Sequence, residues 1–344
     1  MIRSTLSRLV RPLQSRRRAR EKARGIRTDV SIPFDMFDEI RSVKDAKSAR
    51  KLAEIYHKGQ SKVWDGRQVM DDLKSKHGGV HLSQEKREAL TRILAVLLWG
   101  ELAAWKISAD LALHLEPLEA KLAATSQAHD EARHFYVMYE YMALLGDVPH
   151  ELGPTAEGVL MGTLETRDLT RKLMGMQMMI EPMALTLFQL LRKHDVDPML
   201  TDLLLLYQRD EARHVALGVL HLPKLLTDMG HVEALGLWIW QFQQFWAEFS
   251  LVRAMEADLL TLGIDPADVV RIGRGKQVRA NQMLMTEIGE DLAVFDWFVR
   301  FFDGKAEWEF PTECTRRQYP QRLANAIAAT QQGLGAVPQS LVTT

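Results

Sequence analysis

Apolar residues recur at three- and four-residue steps along almost the whole chain after residue 45, and no stretch alternates at period two for long. The pattern predicts helices over 45–64, 67–76, 84–114, 117–145, 163–194, 199–228, 232–262, 266–302 and 316–332. Punctuation supports their ends. Gly78-Gly79 breaks the chain before Ser83, an N-cap for the long helix that follows. Gly146 and Pro149 close the fourth helix, and Gly153-Pro154 continues the loop. Asp195-Val196-Asp197-Pro198 reads as a turn, and Gly263 with Asp265-Pro266 separates two further helices. The expected fold class is all-α.

Within this pattern lies an internal repeat. Residues 130–134 and 210–214 both read Asp-Glu-Ala-Arg-His, an offset of 80. At the same offset Glu101 matches Glu181, Ala104 matches Ala184, Leu111 matches Leu191 and His114 matches His194. Each half is then a helical hairpin with one glutamate on its first helix and Glu-x-x-His on its second, and two such hairpins make a four-helix bundle. The organisation expected is a basic arm over 1–27, a helical extension over 28–80, the bundle over 81–231, and a C-terminal helical extension over 232–344 packed on it.

The spacing has a geometric consequence. Each lone glutamate precedes its Glu-x-x-His by 30 residues, with the turn 15 residues from either one, near Glu116-Pro117 in the first half and near Val196 in the second. At about 1.5 Å rise per residue, every ligand lies roughly 22 Å from its turn, at one depth. Glu131 and His134 share a helical face, as do Glu211 and His214. Glu101, Glu131, His134, Glu181, Glu211 and His214 therefore converge in an apolar interior. Four buried carboxylates need compensation, and two divalent cations supply it. Mixed oxygen and nitrogen ligands suit iron, or a manganese–iron pair. Asp130 and Asp210 are placed to accept from the histidines' other ring nitrogens, and Arg133 and Arg213 to neutralise those aspartates. Which aspartate serves which histidine is left open. The other nine histidines, including His114 and His194 near the turns, read as surface or satisfied core residues.

Composition adds boundaries. The single cysteine, Cys314, has no partner for a disulfide or a Cys-based metal site, as in a reducing compartment. No apolar run is long enough to span a membrane. The formal charge is −1, yet residues 1–27 carry ten Lys/Arg and one acid, leaving −10 on the remainder. Ile2, Leu6, Leu9, Val10 and Leu13 fall at helical spacing among those arginines. Such an arm suits an anionic membrane surface or an acidic carrier protein; a solvated tail and a transit peptide are the alternatives.

The doubled pentad with its paired glutamates resembles the ferritin-like di-iron carboxylate superfamily, over about residues 84–228. It is most similar to the oxygen-activating branch, which includes bacterial multicomponent monooxygenase hydroxylases, acyl carrier protein desaturases and ribonucleotide reductase small subunits. The resemblance implies a ferritin-like four-helix bundle with additional N- and C-terminal helices. It further implies two iron ions held by the six residues above, and O2 as co-substrate. Trp64-Asp65 and Ser83–Glu101 look similar to the lead-in helices of ribonucleotide-reductase-like oxidases. Two departures stand out. Met138 occupies the place of the radical tyrosine, and Ala184 and Leu185 stand where monooxygenases and desaturases often carry a threonine, with Thr186 one step beyond.

Met174, Met176, Met178, Met179 and Met183 surround Glu181, and Gly100, Ala103, Ala104, Ala132 and Ala184 lie beside the ligands. Flexible thioethers beside small residues favour an adaptable apolar pocket, for which Gly100, Ala104, Met178, Ala184 and Leu185 are the candidate lining. Pro182 should disturb its helix and bulge it beside Glu181. No dinucleotide fingerprint is present, so electrons are expected from a separate ferredoxin or reductase. The expectation is an O2-dependent, monooxygenase- or desaturase-like oxidoreductase acting on an apolar, acyl or aromatic substrate. It would be cytoplasmic, peripheral to the membrane if the arm docks there, with no nucleic-acid partner and with a homodimer open to it. An iron-handling ferroxidase and a helical protein with a structural metal site are the alternatives.

Overall fold

The computed structural model describes residues 39–227, 229–288, 293–311 and 314–332. The basic arm over 1–27 lies outside the described residues. Every regular element among those described is helical: α1 (Glu39–Ser61), α2 (Gly66–His77), α3 (Gln84–His114), α4 (Leu118–Leu145), α5 (Pro154–Leu164), α6 (Leu169–Gly175), a π turn (Met176–Ile180), α7 (Glu181–Lys193), α8 (Pro198–Thr227), α9 (His231–Ala254), α10 (Glu256–Thr261), α11 (Pro266–Ile288), α12 (Ala293–Glu309) and α13 (Tyr319–Gln332).

The helix ends have chemical causes. Asp65 Oδ1 accepts from the N–H groups of Arg67 and Gln68 at 2.9 and 3.0 Å, satisfying donors that the first turn of α2 leaves open. Ser83 does the same for Lys86 at the start of α3. Gly146 stops α4 at φ +100°, a conformation that a Cβ would strain.

Helices α3, α4, α6–π–α7 and α8 form the bundle. Its buried apolar residues fall into two clusters. One gathers Leu90 and Leu94 of α3, Tyr141 of α4, Leu191 of α7 and Leu203 of α8. The other gathers Ile107 and Leu111 of α3, Ala120 of α4, Leu173 of α6 and Leu222 of α8. The α3–α4 turn thus lies at one end of the bundle and the α7–α8 turn at the other. The connection from α4 to α6 has to run the bundle's length, and α5 lies within it. Around the bundle, α1 and α2 pack on α4 and α8, α10 on α3, α9 on α5, and α11 on α7 and α8.

Two sequence expectations are corrected. The helix expected over 163–194 begins at Leu169, and α5 occupies part of the stretch taken as loop, because Pro154 starts a helix well with its fixed φ and missing N–H. The helix expected over 232–262 is interrupted at Met255 between α9 and α10. The bulge expected from Pro182 is present as the π turn. Pro182 has no N–H to give the carbonyl four residues back, and the Glu181 N–H bonds to the carbonyl of Met176, five residues back. Gly218 of α8 admits this wider turn: a Cβ there would meet Gln177 Cβ at 2.5 Å.

Candidate metal centre

Glu101 comes from α3, Glu131 and His134 from α4, Glu181 from the junction of the π turn with α7, and Glu211 and His214 from α8. All six are buried. They form two overlapping groups, Glu101, Glu131, His134 and Glu211 in one and Glu131, Glu181, Glu211 and His214 in the other, each with ligand atoms within 4.8 Å of one another. Glu131 and Glu211 belong to both. The layout fits two neighbouring cations, each with a carboxylate and an imidazole of its own and two carboxylates held in common.

The chemistry of the donor set supports this fit. His134 Nδ1 is fully buried and makes no hydrogen bond, although Glu211 Oε1, Glu101 Oε2 and Glu131 Oε2 lie 3.1, 3.4 and 3.6 Å away. His214 Nδ1 likewise faces Glu211 Oε2 at 2.6 Å, Glu131 Oε1 at 3.0 Å and Glu181 Oε1 at 3.3 Å. Imidazole nitrogens aimed into clusters of carboxylate oxygens are what a metal ion requires of its ligands.

Electrostatics lead to the same conclusion. Burial pushes the Glu101 and Glu181 carboxyls well above the usual range. Burial works against the charged form of His134 and His214 too, but the surrounding carboxylates outweigh it and hold both imidazoles well above their ordinary value. Burial opposes the ionisation of Glu131 and Glu211, and Glu211 opposes that of Glu131, but the two histidines, joined at Glu211 by a hydrogen bond with Glu181, outweigh this and hold both carboxyls below the usual range. Protons thus hold the charge balance of the metal-free chain, and divalent cations would displace them.

Outside the ligands lies a crossed network that resolves the pairing left open by the sequence. His134 Nε2 faces Asp210 Oδ2 at 3.3 Å, and His214 Nε2 faces Asp130 Oδ2 at 3.4 Å. Each histidine is therefore held by the aspartate of the other hairpin. Arg133 Nη2 reaches Asp130 Oδ1 at 2.6 Å and Asp210 Oδ2 at 3.0 Å; Arg213 Nη2 reaches Asp130 Oδ2 at 2.8 Å and Asp210 Oδ1 at 3.0 Å. Burial opposes the ionisation of Asp130, but the His214 contact outweighs it and holds the carboxyl at about 2. Asp210 is held low in the same way by His134.

Several contributors escaped sequence reasoning. Trp64 Nε1 donates to Asp210 Oδ2 at 2.8 Å, and the Arg133 guanidinium lies 4.5 Å over its ring. Tyr207 stacks on His134 with ring centroids 4.1 Å apart and donates its hydroxyl to the His134 carbonyl at 2.5 Å. Gln127 Nε2 donates to Glu181 Oε1 at 2.8 Å and to Glu131 Oε1 at 3.2 Å, while Gln177 donates to Gln127 Oε1. Gln127 and Tyr207 are equivalent under the 80-residue offset, four residues before each pentad glutamate. Their helical phase beside the ligands was the available clue.

A cavity of about 560 Å³, counted to its mouth, meets the cluster on its carboxylate side. Glu101, Glu131, Glu181 and Glu211 form its floor, and Gly100, Ala104, Val159, Ile180, Ala184 and Leu187 are among its walls. Of the candidate pocket residues, Gly100, Ala104 and Ala184 line it. Met178 and Leu185 do not; Met176 and Met183 take the methionine positions. The π turn changes the helical phase ahead of Glu181, and Met178 is buried toward Gly218. Leu185 lies about 100° round α7 from Ala184. Glu248 of α9 also faces this cavity. Met138 is fully buried, and Thr186 donates to the Pro182 carbonyl at 2.7 Å.

No family model matches the chain, and no curated protein is significantly similar to it in sequence. Among solved structures it is similar to a protein with aldehyde deformylating oxidase activity from Synechococcus. The TM-score is 0.52 at 18% identity, over 62% of this chain and 97% of that one. At that identity the likeness speaks for the fold, and the fold is a ferritin-like helical bundle with additional helices. No described helix is long and apolar enough to cross a membrane.

Proposed function

We propose that the protein is an O2-dependent di-iron oxidoreductase that oxidises an apolar substrate. The observation that carries the reading is the pair of overlapping Glu/His groups sharing Glu131 and Glu211 at the floor of a cavity whose other lining residues, Glu248 apart, are apolar. On this reading Glu101 and His134 serve one iron, Glu181 and His214 the other, and Glu131 and Glu211 both. Bound iron would supply the redox chemistry with O2 that side chains lack. The chain's own residues do the rest. Asp130 and Asp210 hold the imidazoles by their remaining ring nitrogens, so that Nδ1 points inward. Arg133 and Arg213 each pair with both aspartates and hold them in place. Gln127 fixes the carboxylates of Glu131 and Glu181 relative to one another. Gly100, Ala104 and Ala184 leave room above the carboxylates, and Leu187, Val159 and Ile180 keep water out of it.

Supporting the reading further, the relative of known structure carries an oxidase activity in its name. The apolar walls favour an organic substrate over iron handling, which calls for an acidic path to the surface. Electrons would come from a separate ferredoxin or reductase. Residues 1–27 would add docking to an anionic membrane surface or an acidic carrier.

The test is anaerobic loading with ferrous ion followed by exposure to O2. Metal analysis should give two irons per chain, and near-ultraviolet and visible absorption should change on oxygenation. Two irons with no response to O2 would leave a structural metal site; uptake of fewer than one would remove the centre altogether.

A further inference from the structure

Beside the metal-facing cavity lies a second, partly open chamber of about 550 Å³ counted to its mouth, between α9, α11 and α12. Its walls include Phe245, Phe249, Phe298, Phe302, Val269 and Val299. Two residues, Met183 and Glu248, line both spaces, so the two adjoin at that point.

Glu248 is out of place in such a wall. It is 4% exposed, and its only hydrogen bond among the described residues is accepted by Oε2 from Gln277 Nε2 at 2.8 Å. Its other oxygen, Oε1, is fully buried and has no hydrogen-bond partner among the described residues. Burial pushes its carboxyl up to about 7. The chamber's other charged residue, Arg274, is paired with Asp303 at 2.6 Å and does not answer Glu248. An acceptor left unpaired in an apolar wall is a standing desolvation cost, relieved by any ligand that brings a donor.

We propose that the Phe-lined chamber is a second binding compartment for an apolar molecule bearing one hydroxyl or N–H donor, which pairs with Glu248 Oε1. This rests on the oxidoreductase reading in one respect: the molecule is that enzyme's substrate, its apolar body in the chamber and its reacting end across Met183 toward Glu101 and Glu181. The pairing sets specificity, because an analogue lacking the donor leaves the carboxyl buried and unanswered. Met183 is the flexible partition between the two spaces, an unbranched thioether that can change rotamer without a polar atom to satisfy.

The probes are 1-naphthol and naphthalene, titrated calorimetrically into the full chain, both iron-loaded and after chelation. Wild type should bind 1-naphthol on the order of tenfold tighter than naphthalene, the usual scale of one hydrogen bond to a charged or strongly polar group. Glu248→Leu should bring the two within about threefold of each other, with helicity unchanged. Glu248→Gln, which keeps an acceptor, should retain part of the preference. Val299→Trp, which fills the chamber, should weaken both probes together; Phe298→Ala, which enlarges it, covers the case in which Val299→Trp fails to fold and should leave the naphthol preference in place. Equal binding of both probes by wild type, or a naphthol preference that survives Glu248→Leu, would overturn the proposal. A chain that prefers naphthol but takes up no iron would sink the oxidoreductase reading and leave the compartment standing. One that takes up two irons and ignores naphthol would do the reverse.

Discussion

The two hairpins carry the same five letters but surround them differently. In the first group His134 lies against two aromatic rings: Tyr207 stacks on it, and Trp64 approaches at 6.2 Å while binding its aspartate. Among the described residues the second group has no such wall. Its Glu181 stands on the π turn, and its neighbours are the amides of Gln127 and Gln177. The repeat therefore preserves the candidate ligands and their aspartates while the packing around them diverges. One half is fixed by rings, and the other depends on a local widening of its helix and on hydrogen bonds between amides. Equal ligands need not mean equal rigidity.

The comparison breaks most completely if the shared glutamates are removed. Glu131→Ala combined with Glu211→Ala takes a carboxylate pair from both groups, and bound iron, measured by elemental analysis, should fall to background while circular dichroism stays helical. Two irons retained at full occupancy would show that the six residues are not the ligand set.

A finer comparison uses the crossed aspartates. Asp210→Asn and Asp130→Asn should each weaken iron binding by about 10–100-fold, the usual effect of losing a carboxylate behind a ligand histidine. The loss should be larger for Asp210→Asn, because Asp210 also accepts from Trp64 and so ties the aromatic wall to His134. Competitive chelation by a coloured ligand reads both, and equal losses would remove the asymmetry.

Glu248 offers a pH test on the apolar side of the same centre. Its folded pKa, about 7, lies above the ordinary 4.5. Below pH 4.5 the carboxyl is protonated in both states and costs nothing through ionisation. As pH rises toward 7 the unfolded chain releases this proton first, so the folded state loses stability. Glu248→Gln should therefore stabilise the protein more at pH 8 than at pH 5, by about 2–3 kcal/mol in denaturant titrations. A benefit that is the same at both pH values would show that the carboxyl titrates normally. The smallest effect expected is that of Tyr207→Phe, which removes only the bond to the His134 carbonyl; it should cost about 1 kcal/mol and leave the iron content unchanged.

Much of this centre was legible in the sequence because its information is local and duplicated. The 80-residue offset and the 30-residue spacing bring the six ligand candidates together with no knowledge of tertiary structure, and Pro182 announced its bulge through its missing N–H. What stayed hidden depends on how helices dock. The crossing of Asp130 and Asp210 between hairpins is a matter of rotation about helix axes. Met178 and Leu185 were placed in the cavity by proximity in sequence, but the π turn and a single residue step turned them away. Glu248 lies outside the repeat and outside the bundle, so no pattern pointed to it. Helix α5 was read as loop because the breakers at Gly153-Pro154 say where a helix stops more loudly than where one starts.

The crossed aspartates also make metal uptake a clock for folding. The helices of each hairpin can begin to form early, since their bonds span only a few residues. Neither can finish a ligand alone, because its histidine is steered by a carboxylate that arrives only with the other hairpin. During refolding, the far-ultraviolet signal should therefore recover before tight iron binding does, and the interval between them measures how long the two halves take to find each other.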